Sequence, residues 1–123
     1  MPVRRELTNP IGVVQGGVDT VLADAAMASA TTTVLTDDEY DTTAVTTVDV
    51  FARFLGSISL AKHTLMRAEA RVVRSGGRLV WAECDVLADD RVVGKFTGTG
   101  IKVRFEAKAY TYDTATEPTK EGA

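Results

Sequence analysis

The stretch Asn9-Pro10-Ile11-Gly12-Val13-Val14-Gln15-Gly16-Gly17, followed by an alanine-rich segment over residues 18–33, constrains the fold more than any other part of the chain. A paired glycine stands directly before a segment of helical spacing in which only Asp19 and Asp24 carry charge. A surface helix normally shows a broad polar face, and one that is apolar nearly all round is enclosed by other structure. Asp19 falls in the first turn, where a carboxylate complements the positive end of the helix dipole. Asp24 lies mid-segment without that support. The spacing predicts a main apolar stripe of Val18, Val21, Leu22, Ala25 and Ser29, with Thr20, Asp24 and Met27 on the opposite side. The β-branched Thr31-Thr32-Thr33 should end the helix.

Around this helix the pattern changes to period two. Residues 3–8 read as a short strand or an ordered lead-in, Asn9-Pro10 as a turn, and residues 36–43 as an acidic loop. From Ala44 onward, Val48, Val50, Ala52 and Phe54 share one strand face, while Thr47, Asp49, Phe51 and Arg53 take the other. Residues 62–74 set Met66, Ala68, Ala70 and Val72 against Arg67, Glu69 and Arg71, and Ser75-Gly76-Gly77 turns the chain. Residues 78–87 return with Val80, Ala82, Cys84 and Val86 on one face and Trp81, Glu83 and Asp85 on the other. After a turn at Ala88-Asp89-Asp90, residues 91–104 form a long last strand with Gly94, Gly98 and Gly100 on a single face. Glycine inside a strand marks a close approach of another backbone, or a bulge or bend. An alanine-rich helix facing an alanine- and glycine-lined sheet fits the first reading. The expected architecture is α+β, an antiparallel sheet wrapped around one long central helix. It forms a single domain over residues 1–110, with a polar C-terminal tail at 111–123 that frays at its end.

The balance of charge removes several function classes. A net charge of −3 argues against a nucleic-acid surface, which wants a basic excess. The single cysteine, Cys84, has no internal disulfide partner and suits a reducing compartment. No run approaches the roughly 18 apolar residues of a membrane span, and Met1-Pro2-Val3-Arg4-Arg5-Glu6 has no apolar core after its arginines, so a signal peptide is not expected. A cytoplasmic location follows as the expectation. His63 and Cys84 are too far apart to suggest a metal-ligand pattern, and Gly76-Gly77 lacks the context of a phosphate loop.

At these residues the chain resembles the hotdog-fold acyl-CoA thioesterases, within them the phenylacetate-pathway (PaaI-like) branch. That branch has an Asn, a turn, then His-Gly-Gly, six residues and an Asp in the central helix. Here Asn9 precedes Gln15-Gly16-Gly17, and Asp24 follows within Leu22-Ala23-Asp24-Ala25-Ala26. Thr46-Thr47-Val48-Asp49-Val50 and the run from Ala68 to Glu83 are also similar to blocks of the branch, so the resemblance covers residues 9–104. It implies hydrolysis of an acyl- or aryl-acyl-CoA, with Asp24 as general base or nucleophile. The Gly16 N–H would receive the developing oxyanion at the helix N-terminus. Thr47 would help position the water, and Asn9 and Gln15 would orient the substrate. It also implies a homodimer or homotetramer with the site at the subunit interface, Asp24 and Thr47 from one copy and Asn9, Gln15 and Gly16 from the other. CoA enters only as part of the substrate, and no other cofactor or metal is implied. Gly17 beside the oxyanion position, and Arg74, Gly77 and Arg78 around the hairpin, are candidates for substrate contact, with Lys62 more remote. Arginine offers phosphate a bidentate fork.

Gln15 stands where the branch usually carries His. Its amide still donates a hydrogen bond but cannot carry charge or shuttle a proton. The competing reading is therefore a non-catalytic acyl-CoA-binding protein that keeps the pocket without the turnover.

Overall fold

The computed structural model describes residues 1–105. The proposed domain end at 110 and the tail at 111–123 lie outside the described residues. One helix, α1 (Gly16–Thr31), precedes four strands, β1 (Thr43–Phe54), β2 (Met66–Gly76), β3 (Leu79–Ala88) and β4 (Arg91–Arg104). All pairings are antiparallel, in the order β1-β4-β3-β2, and α1 packs against all four strands. The lead-in is neither a full strand nor loose. Pro2 bridges Leu65, the Val3 N–H donates to Thr64, one 3-10 turn follows at Arg5–Leu7, and Thr8 bridges Val14. The β2–β3 turn falls at Gly77 and Arg78, one residue later than the spacing predicts.

The helix is rotated from the expected orientation. Its buried row is Asp19, Ala23, Met27 and Thr31, whereas Val21 is 66% exposed and Ala25 and Ser29 face solvent. With two charges in sixteen residues, hydrophobicity does not select a face, so side-chain size decides. Ala23, fully buried, lets the helix settle on a sheet face of Ala82, Cys84, Val86 and Phe96 in the close packing of a protein interior.

The strand glycines make room for side chains, not for the helix backbone. A Cβ built on Gly98 would stand 3.1 Å from Met27 Cε and 3.2 Å from its Sδ. One on Gly94 would meet the Phe96 ring at 2.8 Å, and one on Gly100 would meet Val45 Cγ1 at 2.5 Å. Both edge strands carry a register shift, at Thr47/Asp49 in β1 and at Val72/Arg74 in β2, so Val48 and Val73 are extra residues. No described helix is long and apolar enough to cross a membrane.

Candidate active site

The bulge at Val48 determines where Thr47 points. Strand alternation alone places Thr47 with Asp49 and Arg53, away from the helix. The extra residue reverses the parity, because one inserted residue moves every later side chain to the other face. Thr47 pairs with Gly100 and Val50 with Gly98, so Thr47 shares the helix-facing side with Val50, Ala52 and Phe54. The Thr99 N–H at the shifted ladder donates to Asp49 Oδ1 at 3.1 Å, which satisfies a backbone donor at the bulge.

On that side Thr47 Oγ1 donates to Asp24 Oδ1 at 2.7 Å. Asp24 is half-buried, and among the described residues its Oδ2 has no hydrogen-bond partner. The pair stands at the rim of a slot between α1 and the β1–β4 strands. A fixed carboxylate with one free oxygen at an apolar opening can hold a water molecule or attack an electrophile.

The other candidates collect at the helix N-terminus. Gln15 is the N-cap residue; it is exposed, and its side chain makes no capping bond. Gly16 lies against the Phe54 ring: a Cβ there would stand 2.9 Å from Phe54 Cζ, so a larger residue would have to push that half-exposed ring aside. Among the described residues nothing accepts from the Gly16 N–H, one of the orphan donors of a helix start. Gly17 faces open space. Asn9 closes the turn before the helix: its Oδ1 accepts from the N–H groups of Ile11 and Val13, each at 3.1 Å, and Gly12 takes a left-handed φ of +79°. Eight residues separate Gly16 from Asp24, about 12 Å along a helix at 1.5 Å per residue. Within one chain these two groups do not meet at one reacting carbon.

Arg74, Gly77 and Arg78 are not brought to this place. Thr47 shares a cross-strand row with Gly100, Val80 and Ser75, so β2 lies three strand spacings away, about 14 Å. The Arg74 guanidinium sits 6.0 Å over the Trp81 ring. His63 is tied into its own loop, its Nδ1 accepting from the Ser59 N–H. Cys84 is buried, and burial pushes its thiol up to about 11, so it is a poor nucleophile at neutral pH.

One buried group escaped the sequence reading. Asp19, expected in the first turn as a complement to the helix dipole, is only 4% exposed, and among the described residues its Oδ1 has no hydrogen-bond partner. Burial raises its carboxyl to about 6, against a smaller opposing effect of its own backbone N–H. Its spacing of four from Ala23 and eight from Met27 was the available signal.

No protein-family model and no curated protein sequence matches this chain. Solved structures do. A phenylacetic acid degradation-related protein of Ralstonia eutropha JMP134 is 26% identical with a TM-score of 0.70, over 81% of this chain and 70% of that one. A Bacillus halodurans protein crystallised with CoA is 24% identical with a TM-score of 0.74, over 84% and 68%. A Haemophilus influenzae thioesterase is 21% identical with a TM-score of 0.73, over 85% and 68%. These neighbours are thioesterase-family hotdog proteins, and the present chain shares their hotdog fold, one helix against a four-stranded antiparallel sheet.

Proposed function

We propose that this protein is an acyl-CoA thioesterase that hydrolyses its substrate to the free acid and CoA at a site shared between two copies of the chain. The observation that carries the reading is the Asp24–Thr47 hydrogen bond at the slot rim, on a fold whose neighbours include a thioesterase and a CoA complex. Asp24 takes a proton from a water that adds to the thioester carbonyl, or its own carboxylate adds and the resulting anhydride is hydrolysed. In either route the carbonyl oxygen gains charge, which the Gly16 N–H of the other copy receives. The tetrahedral intermediate then collapses and the C–S bond breaks: in the base route the CoA sulfur takes the proton held by Asp24, and in the nucleophile route it leaves as thiolate and takes a proton from the water that hydrolyses the anhydride.

The need for two copies follows from the 12 Å between Gly16 and Asp24 estimated above. The edge strand β1 presents Val48, Phe51 and Phe54, all more than half exposed, while the other edge carries Arg67, Glu69, Arg71 and Arg74. An exposed apolar edge is a template for strand pairing, and charges guard against it. Asp24 sits beside Thr47 and Gly16 beside Phe54. Antiparallel pairing of two β1 edges about a two-fold axis near the middle of the strand therefore brings the Thr47 end of one copy beside the Phe54 end of the other. That register brings Asp24 of one copy toward Gly16 of the second. Asn9 and Gln15 arrive with Gly16, Asn9 bracing the loop and Gln15 offering an amide donor. Arg74 and Arg78 lie near the far edge and reach a CoA phosphate only across a further subunit boundary.

Free-thiol release from a panel of acyl-CoAs tests the reading. Turnover of at least one member, abolished in Asp24→Asn with the fold intact, is expected. Tight binding of CoA esters with no turnover would instead establish the non-catalytic binder, the reading that Gln15 favours.

A further inference from the structure

The slot behind the Asp24–Thr47 pair runs inward between α1 and the β1–β4 strands, with Val45, Val50, Gly98 and Gly100 on the sheet side and Met27 and Thr31 on the helix side. The room left free inside is about 10 Å³, the space of one water molecule. One long flexible side chain, Met27, stands in its lining. Met27 is 4% exposed, and its Sδ and Cε occupy the place beside Gly98 that any larger residue would take. The remaining lining is glycine, alanine, valine and threonine apart from Asp24, none of which can move far. Methionine is unbranched, with three rotatable bonds, and adapts its shape to what it packs against.

We infer that this slot is the acyl-chain site and that Met27 is the side chain that sets acyl length, swinging aside to admit a short, uncharged, unbranched acyl group. The inference rests on the thioesterase reading. Charge selects as well as size: past the rim the slot holds no ionised group, and Asp24 at the entrance opposes an acyl group ending in a second carboxylate. The acyl tail accommodated is about as long as the thioether it displaces. Each carbon beyond that limit meets the helix or the glycine floor and loses roughly tenfold in kcat/KM, the ordinary discrimination of an apolar pocket for one methylene.

The experiment measures kcat/KM for straight-chain acyl-CoAs from acetyl to dodecanoyl in the parent, Met27→Ala and Gly98→Ala. The parent should fall steeply beyond short chains. Met27→Ala should move the optimum to longer chains, raising the ratio of octanoyl to butyryl turnover by about tenfold or more. Gly98→Ala, whose Cβ pushes the thioether into the slot, should move the limit the other way without opening a cavity, and so remains informative if Met27→Ala folds poorly. An active enzyme whose length profile is the same in all three overturns the inference and leaves the thioesterase reading standing. If no acyl-CoA is hydrolysed, that reading falls, and affinities of non-hydrolysable alkyl-CoA thioethers decide the slot. A length limit that moves with the two substitutions supports it, and one that does not overturns it.

Discussion

Thr47 reaches Asp24 across the helix–sheet boundary at 2.7 Å only because Val48 is bulged out of the β1–β4 ladder. The hydroxyl donates to one carboxylate oxygen and leaves the other toward the rim. Hydrogen bonds to a charged group contribute about 1.5–3 kcal/mol, so Thr47→Val should lower kcat by about tenfold to a hundredfold with little change in KM, and Thr47→Ser should restore most of it. Equal losses in both variants would show that the hydroxyl does not matter.

Deleting Val48 tests the bulge itself. The strand then pairs without interruption, with Thr47 still opposite Gly100 on the helix side, because only the unpaired residue has been removed. Thiol release should stay well above that of Thr47→Val, with far-ultraviolet circular dichroism preserved. A loss as large as in Thr47→Val would mean that the bulge itself, beyond its effect on strand alternation, holds Thr47 against Asp24.

Asp19 makes stability depend on pH. Its carboxyl is raised in the fold from 3.8 to about 6, so the folded chain binds a proton more tightly than the unfolded one. The stability this gives is complete below about pH 4 and is lost as pH rises through 6. Above that the fold carries a buried charge at a penalty of about 3 kcal/mol. Asp19→Asn should therefore be more stable than the parent at pH 8, by up to about 3 kcal/mol, with the gap closing at pH 4. Urea midpoints at pH 4, 6 and 8 decide it, and parallel curves would exclude the ionisation as the cause.

The shared site predicts complementation. Asp24→Asn and Gly16→Val should each be inactive alone. Refolded together in equal amounts they form mixed dimers with one intact site, and roughly a quarter of parental activity should return. No recovery, with mixed dimers present, would place both groups within one copy. Phe51→Glu, which puts a charge on the apolar β1 edge where Phe51 is 61% exposed, should yield monomers without turnover, as seen by sedimentation and thiol release.

The helix, the four strands and their turns, to within a residue or two, are legible along the chain, because helix and strand periods and turn residues are local properties. Tertiary structure alone decided which helix face is buried. Val18, Val21 and Leu22 on one side and Ala23, Met27 and Ala30 on the other are equally acceptable to an apolar core, and only the shape of the sheet distinguishes them. That choice buried Asp19 and left Asp24 half-open. Tertiary structure also decided the face of Thr47, because a bulge is a mismatch between two strands fifty residues apart and leaves no mark on β1 alone. Met27 belongs to the same group: its place in the slot depends on Gly98 standing opposite, which only the packing of α1 on β4 brings about.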